Sequence, residues 1–366
     1  MAVKSRNQSL LRKKGKVPDH AHIYRQNPRT GRVDRFTSYC LLDGDGEILE
    51  EGKLRTSEAA LRDRFDTCEC RVIVEAGTHS PWISRLFAAF GQEVIVANPR
   101  KVRLIAQSTR KNDRADAETL ARLGRVDPRL LSPIRHRTEQ AQTDLATIRA
   151  RSALIASRTL LINHVRGAVK SAGARLPGCD AQSFHRRVKG SLPGDLLSAM
   201  NPLIAAIEKL SEEIAIVDRR VIELAATRYP EAKVLQQVAG VGPLISLTFL
   251  LTIGDPARFK RSREVGPYLG LVPRQRESGD HAPELHISKA GDSYLRSLLV
   301  SGAHYILGHR GPDTDLRRWG LQRSLGSKSA KKRAIVAVAR RLAVLLHRLW
   351  VTGEVYEPFR RGVVAA

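Results

Sequence analysis

The sequence predicts an α/β domain, then a long helical arm, then a mainly helical and strongly basic C-terminal part. Three observations carry this. Short β-branched runs alternate with helical spacing between residues 36 and 133, two long stretches with apolar seams follow, and dense Lys and Arg accompany the helical segments beyond. The resulting boundaries are 1–35 for a basic disordered arm, 36–133 for the α/β domain, 134–229 for the helical arm, 230–352 for the basic helical domain and 353–366 for a tail.

Residues 1–35 hold ten Lys and Arg against Asp19 and Asp34, with little to build a core. "SYCLLDGDGEILEEGKLRT" reads as two antiparallel strands joined at a Gly-Asp-Gly turn. "RVIVEA" and "EVIVAN" suit buried strands, and "HSPWISRLFAAFG" between them has helical spacing and ends at a glycine. A helix carrying Asp113 and Asp116 comes next, so the order is that of a mixed sheet with helices packed on it.

In the arm, Leu145, Ile148, Leu154, Ile155, Leu161, Ile162 and Val165 mark the first helix, and "LLSAMNPLIAAIEKLSEEIAIVDRRVIELAA" the second. Two such helices suit an antiparallel coiled coil, with an ordinary helical bundle as the alternative. Either form joins subunits or spaces domains. Further on, Gly240-Val241-Gly242 lies between apolar helices, a helix-hairpin-helix-like element that brings backbone N–H groups near a phosphate or serves only as a packing turn. "SKSAKKRAIVAVARRLAVLLHRLW" reads as an amphipathic helix whose basic end, Lys331, Lys332 and Arg333, lies along a phosphate backbone or forms a solvated face.

Charge narrows the partners. Across 366 residues, Lys and Arg number 62 and Asp and Glu 37, a formal +25, which calls for a polyanion such as nucleic acid. No apolar run approaches the roughly 18 residues of a membrane span, and the basic N-terminus has no apolar core of a secretory signal. Cys40, Cys68, Cys70 and Cys179 lack the paired spacing of a zinc site and read as reduced thiols of a cytoplasm-like compartment.

Acidic residues in so basic a chain ask for a reason. Glu75 ends the strand "RVIVEA", while Asp113 and Asp116, three apart, share a helix face. A bound cation would remove their mutual repulsion and would itself serve phosphoryl transfer; Arg110 and Arg114 offer plain ion pairing instead.

The stretch "VIVEAGTHSPWISRLFAAFGQEVIVANPRKVRLIAQSTRKNDRADAETLARL" resembles the catalytic region of the DEDD transposases of bacterial insertion sequences, with Asn98-Pro99 and the Lys-x-Asp-x-x-Asp-Ala run as its specific marks. "DPARFKRSREVGPYLGLVPRQRESGDHAPELHISKAGDSYLRSLLVSGAH" is similar to the serine-bearing domain of the same family, and the likeness spans about residues 36 to 350. The resemblance implies an RNase H/RuvC-like first domain and makes Glu75, Asp113 and Asp116 the second, third and fourth acids of the tetrad, holding Mg²⁺ or Mn²⁺. It implies Ser278 as the nucleophile, with Ser288 in reserve and better suited to a turn. Arg274, Arg276, Lys289 and Arg296 stand ready to balance phosphate charge.

Two departures are visible. Counting back twelve or so residues from Asp43 puts Gly31 where the family has its first acid, and Asp34 sits three residues out of register. Asp280 stands where a second glycine usually follows the serine. By the resemblance the chain is a DNA transposase or recombinase of the bacterial cytoplasm and nucleoid. It acts as a homodimer or homotetramer, guided by a structured RNA. A catalytically decayed copy that only binds nucleic acid, and a RuvC-like nuclease working by metal alone, are the alternatives.

Overall fold

The β-branched runs of the first half assemble into one five-stranded sheet. The computed structural model describes residues 20–25, 35–99, 101–102, 113–192, 194–276 and 285–359, and the chain divides into units 1–137 and 138–366. In the first unit the strands are β1 (His20–Arg25), β2 (Phe36–Leu42), β3 (Ile48–Arg55), β4 (Arg71–Glu75) and β5 (Val94–Ala97). Their order is β3-β2-β1-β4-β5, with β1, β2 and β3 antiparallel in turn and β1, β4 and β5 parallel. This mixed sheet is consistent with a RuvC-like domain.

The expected basic arm differs from this. Within it, β1 is the central strand, paired with β2 on one side and β4 on the other. Backbone ladders form without apolar side chains, and Ile23 is the one β-branched residue of "HAHIYR", so periodicity left the strand invisible.

Helices α1 (Glu58–Phe65), α2 (Ser80–Ala89) and α3 (Asp113–Val126) cover the sheet. Val72 and Val74 of β4 join Phe65, Ile83 and Phe87 in one core, whereas Ile73 joins Ala117, Leu120 and Ala121 of α3 in the other. A strand buried on both faces explains the unbroken run "VIV".

In the second unit, α4 (Glu139–Ser171) and α6 (Gly194–Thr227) lie antiparallel, with α5 (Phe184–Val188) packed in their connection. Their seam keeps strict heptads. Ile148, Ile155, Ile162 and Val169 form the apolar column of α4, and Met200, Ile207, Ile214 and Val221 that of α6. The other column is mixed: Val165, Ile204 and Ala225 are buried in it, but between them Arg151 pairs with Asp218, and Arg158 Nη1 donates to Ser211 Oγ at 3.2 Å. Asp144 accepts from Arg228 at 2.8 Å and from Tyr229 at 2.8 Å. At its base the arm shares a core with the helices that follow, since Ile148, Val221 and Leu224 pack with Phe249 and Leu342.

Burial, and then Arg151, lower the pKa of Arg158, whose buried Nε has no hydrogen-bond partner among the described residues. Arg158→Leu tests whether this guanidinium burdens the seam, and a rise in Tm in calorimetry is the expected result. A fall in Tm would show that the guanidinium helps rather than burdens the seam.

The remaining helices are α7 (Glu231–Leu235), α8 (Pro243–Ile253), α9 (Val265–Tyr268), α10 (Ser293–Leu307), α11 (Asp315–Arg323) and α12 (Lys328–Thr352). Side-chain caps start the later ones: Leu295 N donates to Asp292 Oδ1 at 2.7 Å, and Ala330 N to Ser327 Oγ at 3.1 Å. No helix among the described residues is long and apolar enough to cross a membrane.

Candidate functional site

The acidic candidates are placed by the sheet. Side chains alternate along β4, so Glu75, two residues past Ile73, belongs to the face that α3 covers. The sheet register sets the C-terminal end of β4 beside the start of β2. Two contacts orient α3 over that face. Arg125 near its C-terminus donates to the Gly44 carbonyl at 2.7 Å, in the turn after β2, whereas Arg114 near its N-terminus pairs with Glu51 of β3. The first turn of α3, with Asp113 and Asp116, thus lies toward the Glu75 end of the sheet.

Gly124 sets how closely α3 approaches. A Cβ there would stand 1.6 Å from Ile73 Cδ1 and 3.2 Å from Leu131 Cδ1, so any larger residue would force the buried Ile73 side chain to shift or the helix to lift. Asp116 is buried at 7% exposure and Asp113 is half-buried. The loop leaving Glu75 is also pinned: Gly77 N donates to Ser80 Oγ at 2.9 Å, and that hydroxyl meets His136 Nε2 at 2.9 Å. Burial and then the neighbouring Arg137 and Arg85 lower the His136 pKa, favouring a neutral ring.

Three carboxylates at one end of one sheet face are hard oxygen donors, the kind a Mg²⁺ or Mn²⁺ ion takes. Among the described residues no three His, Cys, Asp or Glu side chains stand close enough together to hold an ion. Asp43, by contrast, is a turn residue at the opposite end of the sheet. Buried, it accepts from Asp45 N at 3.0 Å and Glu47 N at 2.9 Å. Gly31, Asp34 and Arg110 lie outside the described residues.

Ser278 and Asp280 also lie outside them. The flanking chain forms a two-stranded ribbon, in which Ser288 N donates to the Val272 carbonyl at 2.8 Å and Arg274 N to the His286 carbonyl at 3.1 Å. Ser288 thus sits in the ribbon, at a turn where Lys289 adopts φ 54°. Arg296 reaches back to donate to the Leu269 carbonyl at 2.9 Å and the Ala290 carbonyl at 2.8 Å, so its guanidinium staples the ribbon's base.

The other basic candidates partly converge. Arg274, Arg276, Lys332 and Arg333 line one cavity of about 1520 Å³, whereas Lys331, Lys289 and Arg296 do not. Pattern reading missed Trp319, Arg323, Arg340 and Arg341 in the same lining; their signal was the basic density from 310 to 341, with no hint of which side each would face. In the glycine hairpin, Gly240 has φ 82°, and a Cβ there would stand 3.0 Å from the Gly302 carbonyl of α10. Its close backbone approach is to another helix, the packing role of the two considered. All four cysteines are free thiols, as expected.

Comparison with known proteins places the chain in a family. A family model described as a transposase, for the DEDD type of IS110, matches residues 34–173, and one described as transposase IS116/IS110/IS902 family matches residues 232–317. The chain is 29% identical over 324 residues to the transposase for insertion sequence element IS1111A of Coxiella burnetii, covering 87% of each. It is 29% identical over 310 residues to a probable family 20 transposase of Pseudomonas aeruginosa, covering 82% of this chain and 90% of that one. With the putative transposase y4pF/y4sB of Sinorhizobium fredii the identity is 30% over 293 residues, 78% of this chain and 74% of the relative. On these matches the chain belongs to the IS116/IS110/IS902 family, the DEDD transposases of insertion sequences.

Proposed function

We propose that this transposase exchanges DNA strands with Ser278 as nucleophile, assisted by Glu75, Asp113 and Asp116, and guided by a structured RNA. The Ser278 oxygen attacks a phosphodiester phosphorus, the P–O bond to the leaving strand breaks, and the serine proton passes to a base while the departing oxygen is protonated. A phosphoserine link conserves the bond energy, so a second strand hydroxyl reverses the attack without ATP. Glu75, Asp113 and Asp116 do not stand close enough together to hold an ion as placed, so they would have to draw in to take Mg²⁺ or Mn²⁺, which when bound would supply Lewis-acid stabilisation of phosphate charge. Arg274 and Arg276, exposed and close in sequence to Ser278, neutralise the phosphate. A charge of +25 suits a protein that handles DNA and RNA together in the cytoplasm, as a homodimer or homotetramer.

The observation that carries the reading is the grouping of Glu75 with the first turn of α3 on one face and toward one end of the sheet. Asp116→Asn is expected to lower metal-stimulated cleavage of element-end DNA at least about 100-fold while duplex affinity stays within about twofold. Unchanged cleavage would remove the acids from the mechanism.

A decayed copy remains the second reading, favoured by one observation: no residue of β1, His20–Arg25, is acidic. Ile23 pairs with Val74, so the register sets Tyr24 beside Glu75, while the sequence count points to Gly31. If the unmutated protein is inactive and either Tyr24→Asp or Gly31→Asp restores metal-dependent cleavage, decay is established. Activity of the unmutated chain excludes it.

A further inference from the structure

The basic cavity of the second unit carries one more inference, which rests on the reading that this chain acts on nucleic acid. Its volume of about 1520 Å³ exceeds the roughly 300–1,000 Å³ of a pocket enclosing one small ligand. The lining is of two kinds. Leu271, Ile287, Leu316, Val336 and Leu345 are apolar, and among the described residues nine Arg and Lys face two acids, Asp315 and Glu357. Arg318 pairs with Asp313 and Arg348 with Glu354.

Trp319 gives the cavity its chemistry. The Arg341 guanidinium stacks 3.5 Å from the indole centroid and that of Arg323 lies 4.9 Å from it. Stacking on an aromatic face holds a guanidinium flat, and flat guanidinium and aromatic planes are the surfaces on which unstacked bases settle. A duplex keeps its base faces stacked inside and presents phosphates, sugars and groove edges, so it would meet the cations but bring no base face to the guanidinium planes or the apolar lining. An unpaired strand satisfies both kinds of lining at once.

We propose that this cavity binds an unpaired stretch of polynucleotide, its phosphates on the arginines and its bases against Trp319, Arg341 and the apolar lining. DNA and RNA share that chemistry, and the test separates them.

Fluorescence anisotropy of the full chain, in chelator so that no cleavage intervenes, would use labelled oligo-dT, oligo-rU and a duplex of equal length. The single strands are expected to bind at least about tenfold tighter than the duplex. Arg341→Gln and Arg323→Gln, both at exposed positions, should each weaken single-strand binding about fivefold to tenfold and duplex binding less than twofold. A preference between oligo-dT and oligo-rU names the occupant. Duplex binding as tight as single-strand binding, or variants that leave single-strand affinity unchanged, would overturn the proposal while leaving the transposase reading intact. Failure to bind any of the three probes would overturn the proposal together with the reading that this chain by itself binds nucleic acid.

Discussion

Ser278→Ala is expected to abolish strand exchange, by more than about 1,000-fold, because on the proposed mechanism its hydroxyl oxygen is the attacking group. The readout is the covalent protein–DNA adduct, trapped by denaturation and resolved on a gel: present in the unmutated protein, absent in the variant. DNA affinity should be unaffected. The same variant decides against the nuclease alternative, since hydrolysis by metal and carboxylates alone would survive the loss of the hydroxyl. Ser288→Ala is the control, and its place in the ribbon predicts retained exchange.

Gly124→Ala should destabilise the first unit by about 1–3 kcal/mol, through overpacking against Ile73. The added methyl falls 1.6 Å from Ile73 Cδ1, the terminal carbon of that side chain. Ile73→Val removes that carbon and alone should cost about 0.5–1.5 kcal/mol. Combined, the two changes should cost less than their sum, a coupling measurable by denaturant unfolding. Strict additivity would mean that α3 does not seat on β4 at Gly124. Because α3 carries Asp113 and Asp116, cleavage should fall with Gly124→Ala and recover partly in the double variant.

Much of the first unit was legible because burial wrote itself into composition. β4 and β5 are short β-branched runs, and α2 and α3 show helical spacing. The opening strand was not, since "HAHIYR" owes its place to backbone pairing with β2 and β4. The acid pair was legible from its three-residue spacing; the depth at which α3 lies, set by Gly124 over Ile73, depends on a contact between residues far apart in sequence.

The basic site divides similarly. Arg274, Arg276, Lys332 and Arg333 were each noticed in sequence, yet their convergence with Trp319 is a tertiary event. Arg296 shows the reverse: an arginine chosen for phosphate is occupied with the Leu269 and Ala290 carbonyls. Charge alone does not tell a cation that lines a cavity from one spent on backbone carbonyls.

The mixed column of the arm restricts how its helices move. At a rise of about 1.5 Å per residue, α4 is a rod of roughly 50 Å. Sliding it by one heptad would set Arg151 against Ala225 and bring Arg158 to Asp218, stranding one guanidinium on a hydrocarbon surface. A one-heptad slip would leave the apolar column matched, so it is these two polar rungs that hold the helices in a single lengthwise register.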